Sequence, residues 1–205
     1  MPGTPLPIRK AGENPRTTRV RKVVIEAATT LFIEEGYRAV TPQRVSQETG
    51  VARSTIYRHW PDQQALLLDT IDVVVHPHRS LDLPGDDLRT DLETALDALR
   101  RRLDRRPFRD VFAALLEHAN RSREIVPAQR RFVEGVLAPI REVIDAAVEQ
   151  GGLELSVSPE EAVAQLTGPL FQQHVMLRAS ITDQLITATV DAFLSAHERR
   201  TVRTR

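Results

Sequence analysis

Between Ala52 and Trp60 the chain carries Arg53, Ser54, Thr55, Tyr57, Arg58 and His59, and it carries no Asp or Glu. These side chains can grip a nucleic acid. A guanidinium forks onto guanine O6 and N7, while hydroxyl and imidazole groups bond phosphate oxygens. Thr41 and Arg44, one helix upstream, offer the same chemistry. The plain alternative is an αα-hairpin with a solvated polar face. Solvated faces ordinarily mix acids with bases, and this one omits the acids.

Charge points the same way. The net charge of zero hides a division: residues 1–60 hold ten Lys and Arg against five Asp and Glu, and residues 61–205 hold eighteen against twenty-three. A basic N-terminal third on a neutral chain fits a nucleic-acid module joined to a module with another task.

Other chemistries find little support. There is no activated nucleophile, no glycine loop that cradles phosphate and no metal triad, so neither an enzyme nor a resident metal or cofactor is expected. His76 and His78 lack a third ligand and read as loop residues. The absence of cysteine excludes disulfides and Cys-based zinc sites and suits a reducing cytoplasm. No apolar run approaches 18 residues, and residues 1–18 lack an apolar core, so neither a membrane span nor a secretory leader is expected.

The Arg53–His59 segment needs a scaffold to aim it. Thr41 is a good N-cap, and Pro42 suits the first helical position. Gly50 supplies a left-handed turn. Small Ser46 permits close approach of the next helix, with Val45, Val51 and Ile56 as apolar anchors. The spacing predicts an earlier helix over 17–35, stopped at Gly36, with Val24, Ala27, Ala28, Leu31 and Phe32 inward. Pro61 ends the polar helix, Asp62 caps a fourth that runs to about 75, and Trp60 reads as core joining the two. Residues 1–16 read as a disordered basic arm and residues 76–86 as a linker.

The rest is helical too. Helices are expected over 86–106, 107–121 (Val111, Phe112, Leu115, Leu116 and Ala119 inward), 127–150, 158 to about 177 (His174 and Leu177 inward) and 182–199. Pro139 predicts a bend, and Gly168-Pro169 an interruption. The run Arg100-Arg101-Arg102 with Arg105-Arg106 reads either as a second nucleic-acid patch or as a solvated face near a helix end. No useful stretch alternates with period two, so the fold class is all-α, with about nine helices.

The run Gly50-Val51-Ala52-Arg53-Ser54-Thr55-Ile56-Tyr57-Arg58-His59-Trp60-Pro61, with Leu66 beyond and Leu31-Phe32-Ile33-Glu34-Glu35-Gly36-Tyr37 and Thr41 before, resembles the DNA-binding signature of TetR-type regulators. The resemblance covers roughly residues 20–70, and the region around Gly168-Pro169-Leu170-Phe171 is more weakly similar to one subgroup. The chain departs from the family pattern at Gln63-Gln64, where Lys-Glu is usual, and at Ser46 and Thr49, where Ala is favoured. The resemblance implies a helix-turn-helix domain over 17–61 and a regulatory and dimerisation domain over 62–200. It also implies that the last two helices pair two copies, and that a small-molecule effector releases a repressor from a palindromic operator in double-stranded DNA.

Within that frame Arg53 and Thr55 are expected to reach base edges, and Thr41, Ser54, Tyr57 and His59 to contact phosphates. Arg44 suits either role, and Arg58 either contacts DNA or bridges to the first helix. Candidate effector contacts are Phe108, Phe112, Leu116, His118, Phe132, Val136, Ile140, Phe171 and His174, each of which also reads as plain core. Two other functions stay open: a helical interaction module, and a DNA-binding regulator without ligand response.

Overall fold

A computed structural model describes residues 15–75, 85, 87–119 and 121–197. The expected arm over 1–16 lies outside them except for its last two residues, as do His76, His78 and most of the linker over 76–86. The chain divides into two compact units, residues 1–73 and 74–205. No β-strand occurs among the described residues.

The first unit holds α1 (Pro15–Glu35), a 3-10 turn (Tyr37–Ala39), α2 (Pro42–Thr49), α3 (Arg53–His59) and most of α4 (Gln63–Val75). Val24, Ala28, Leu31 and Phe32 of α1 are buried, as are Val45, Ile56, Trp60 and Leu66. The caps form as the residue types require. The Thr41 hydroxyl accepts from the Arg44 N–H at 3.1 Å, and Asp62 Oδ1 accepts from the Ala65 N–H at 2.7 Å. Gly50 ends α2 at φ 71°, a left-handed conformation that a Cβ would strain.

The second unit holds α5 (Leu88–Leu103), α6 (Phe108–Ala119), α7 (Val126–Glu149), α8 (Pro159–Phe171), a π-helical turn (Gln172–Met176) and α9 (Asp183–His197). Helix α5 packs on α7 and α9, and α8 packs on α7 and α9. Ser158 and Glu161 form a reciprocal capping box at the start of α8. The Ser158 backbone N–H holds the Glu161 carboxyl below its ordinary range, as the Thr90 hydroxyl does for Asp87 at the start of α5.

Three expectations need correction. Helix α5 stops at Leu103 rather than at 106, and Asp104–Pro107 form a turn before α6. Leu116 is 38% exposed. The inward stripe of α6 is Phe108, Val111, Ala114 and Leu115, and Leu116 falls a further 100° around the helix. The interruption expected at Gly168-Pro169 occurs later. Helix α8 continues through Pro169, and the backbone widens only at 172–176, where the Leu177 N–H donates to the Gln172 carbonyl at 3.1 Å. That wide turn rotates the following side chains off the stripe, so Leu177, expected inward, is 62% exposed.

Candidate nucleic-acid interface

The turn between α2 and α3 is held by more than its glycine. The Ser46 hydroxyl donates to the Val51 carbonyl at 2.7 Å. The Val51 N–H donates to the Thr49 hydroxyl at 3.2 Å, and that hydroxyl donates to the Val45 carbonyl at 2.7 Å. The two departures from alanine therefore supply polar bonds at the point where α3 is aimed. Ile56, fully buried, anchors α3.

The remaining face of α3 looks outward. Arg53, Ser54, Tyr57, Arg58 and His59 are exposed, and Thr55 is half-buried. None of these six side chains forms a hydrogen bond or ion pair with a described residue; His59 only tilts its ring toward Trp60, 5.5 Å away. Arg58 therefore does not bridge to α1. Arg21 fills that place: it pairs with Asp69 of α4, which also accepts from Trp60 Nε1 at 2.8 Å.

Thr41 and Arg44 lie apart from α3, in a cleft of about 270 Å³ shared with Glu35, Arg38, Ala39, Gln43 and Gln47. The Thr41 hydroxyl accepts from the backbone, so its own proton is free to donate to a phosphate. Arg44 is already engaged, 3.1 Å from Glu35 and 3.2 Å from Glu48. Sequence reasoning passed over Arg38, Gln43 and Gln47. The i, i+4 spacing of the two glutamines on the exposed side of α2 was the available signal. The amide of Gln63, standing where the family usually has lysine, donates to the Tyr37 carbonyl at 2.6 Å.

The arginine run near the end of α5 has a different character. Arg100 pairs with Asp97 and with Asp183 of α9, Arg101 with Asp97, and both Arg106 and Arg109 with Asp110. The hydrogen bond that Arg100 donates to the Asp183 carboxylate raises the Arg100 pKa above its ordinary value, whereas burial lowers that of Arg102. Arg105 remains exposed. Arg100 thereby ties α5 to α9, while the pairs of Arg101, Arg106 and Arg109 are local.

Among the expected effector contacts, Phe108, Phe132, Val136 and Ile140 are buried, while Phe112, His118, Phe171 and His174 are partly exposed. The structure brings four of them together. Phe112 stacks on Phe132 at 5.8 Å, Phe108 lies 5.0 Å from Phe132, and Phe171 lies 5.6 Å from Phe112. His174 Nδ1 is 3.8 Å from Asp104. Among the described residues no cluster of three or more His, Cys, Asp or Glu could hold a metal ion, and no helix is long and apolar enough to cross a membrane.

Comparison with known proteins agrees with this geometry. Residues 24–70 match the family of bacterial regulatory proteins of the tetR type, and residues 84–193 match the tetracyclin repressor-like C-terminal domain. The HTH-type transcriptional regulator YdeS of Bacillus subtilis is 21% identical over 173 residues, covering 84% of this chain and 86% of its own length. Mb1581 of Mycobacterium bovis, also an HTH-type regulator, is 24% identical over 181 residues, covering 87% and 85%. Among solved structures, the flavonoid-responsive regulator FrrA superposes with a TM-score of 0.67 at 23% identity, covering 90% of this chain and all (100%) of that one. NalD, the secondary repressor of the MexAB-OprM multidrug efflux pump in Pseudomonas aeruginosa, superposes with a TM-score of 0.64 at 19% identity, covering 91% and 100%. With family models matching both units, and the second spanning more than half of the chain, this protein is a DNA-binding transcriptional regulator of the TetR family.

Proposed function

We propose that the protein is a repressor that binds a palindromic operator as a homodimer and leaves it when a small molecule occupies the second unit. The observation that carries the DNA half is the outward face of α3, whose cations and hydroxyls are satisfied by no described residue. Arg53 and Thr55 read base edges; Thr41, Ser54, Tyr57 and His59 bond phosphates; Arg58 joins them, and Arg44 follows once it leaves its carboxylates.

A second copy is needed because one seven-residue helix reads too few base pairs to find one site in a genome. Pairing through α8 and α9 sets two recognition helices about 34–36 Å apart, the repeat of one DNA turn. On this reading residues 17–61 form the DNA-binding domain and 62–200 the regulatory and dimerisation domain. The effector contacts are the aromatic group Phe108, Phe112, Phe132 and Phe171 with His118, Val136, Ile140 and His174; Leu116, turned outward, drops out. FrrA is flavonoid-responsive, which together with the four clustered phenylalanines favours an aromatic organic effector. The chain leaves the DNA-binding unit along α4, so α4 is the covalent route by which an effector acts. It can act only by preferring the non-binding state.

Fluorescence anisotropy on duplexes selected from a random pool tests this. Two protomers per inverted-repeat duplex are expected, and Arg53→Ala is expected to lose about 1–3 kcal/mol and to relax one base position. Wild-type affinity in Arg53→Ala, or selected duplexes without two-fold symmetry, would refute the assignment.

A further inference from the structure

We propose that Asp69 is a positioning residue for DNA recognition: with its two carboxylate oxygens it holds the C-terminal end of α3 and the flank of α1, and so sets the pose in which α3 meets DNA. The inference rests on the reading that α3 contacts base edges.

The need for such a group follows from α3 itself. The helix has seven residues, no side-chain N-cap and one fully buried residue, Ile56. One apolar anchor leaves a short helix free to roll about it, so its orientation depends on what holds its ends. The α2–α3 turn holds the first end. At the second, Trp60 leaves the helix in extended conformation, with its N–H bonded to the Ile56 carbonyl at 2.8 Å. Its side chain is only 3% exposed. A buried indole N–H requires an acceptor, and Trp60 Nε1 finds Asp69 Oδ2 at 2.8 Å.

The other oxygen, Asp69 Oδ1, takes the guanidinium of Arg21 on α1. One carboxylate of α4 thus joins three helices. Neither bond can be kept if α4 slides or turns, because both meet at the same side chain. Displacing Asp69 would orphan a buried N–H and a half-buried cation together, which favours two discrete arrangements over gradual drift. Trp60 is the only tryptophan in the chain, so its emission reports this contact.

The test uses the full-length chain, a duplex it selects from a random pool and an unrelated duplex of equal length. Asp69→Asn keeps the shape but cannot accept from both partners. It is expected to bind the selected duplex about tenfold more weakly, a change of about 1.4 kcal/mol in binding, as α3 loses its fixed pose. The unrelated duplex is expected to lose clearly less, because it offers no matched base edges for the pose of α3 to align and its mainly ionic attraction tolerates a shifted pose. Trp60 emission is expected to change in Asp69→Asn. Trp60→Phe is expected to weaken selected binding in the same sense, and the double variant to be no weaker than Asp69→Asn alone, since both remove one bond.

All titrations are run at a temperature where circular dichroism shows the variant folded. Selected binding within about twofold of wild type, or equal loss on both duplexes, overturns the proposal. Arg53→Ala separates the layers. If it loses selected binding and Asp69→Asn does not, the positioning role fails while the recognition assignment stands. If Arg53→Ala binds like wild type, the assignment beneath the proposal fails.

Discussion

Helix α3 and the arginine run of α5–α6 are both basic, and they differ in where their charges end. On α3 the cations meet no carboxylate among the described residues. In the run, Arg100, Arg101, Arg106 and Arg109 meet Asp97, Asp110 or Asp183. The lesson is that density of positive charge does not make a nucleic-acid interface. What matters is whether the fold itself neutralises the charge. A paired guanidinium must break its ion pair before it can bind phosphate, whereas an unpaired one displaces only water and counterions.

Giving α3 what the run already has should abolish the difference. Ser54→Glu places a carboxylate four residues before Arg58 and against the DNA backbone. Loss of several kcal/mol of DNA affinity, about 3 or more, is expected in an anisotropy titration, from like-charge juxtaposition with phosphate. Near-normal binding would break the comparison.

Breaking a pair in the run should touch stability alone. Arg100 joins α5 to Asp183 and, at 3.4 Å, to the Ile181 carbonyl. Arg100→Ala should destabilise by no more than about 1 kcal/mol in denaturant unfolding, since one of its partners is exposed. It should leave DNA affinity unchanged.

Arg44 lies between the two regimes, on the helix before α3 yet held by Glu35 and Glu48. Replacing both glutamates by Gln should raise affinity by less than about 1 kcal/mol, the range of exposed ion pairs. The plot of log affinity against log salt should steepen by about one unit if the freed cation then meets a phosphate. An unchanged slope would show that Arg44 stays off the duplex.

Acid should give the smallest signal, and it bears on the helix starts of the second unit. Asp87 and Glu161 have folded pKa values below their ordinary ones. Their contribution to stability is complete above the ordinary carboxylate range and is lost as pH falls through the folded values. A slight fall in melting temperature below about pH 4 is expected. Glu161→Ala should lower the melting temperature at neutral pH and flatten the acid limb, which calorimetry can read.

These contrasts also show what a sequence can reveal. Thr41, Gly50 and the Ser158–Glu161 box act over three or four residues, so their residue types and spacing announce them. The outward polar face of α3 was legible for the same reason. The partners of Arg100 and Arg21 were not, because Asp183 and Asp69 lie 83 and 48 residues away and only folding brings them close. Leu116 and Leu177 failed differently. Hydrophobicity placed both inward, but helical phase decides which leucine of a pair is buried, and a wide turn resets that phase after residue 171.

The amide at the start of α4 carries a biological corollary. Gln63 ties itself to the Tyr37 carbonyl and brings no cation to the duplex. Each phosphate left without a cation removes one increment of sequence-blind attraction. A regulator built this way should reside only briefly on bulk chromosome. It would keep more of its copies free to search, and its occupancy would track the match between protein and target more closely than the ionic strength of the cell.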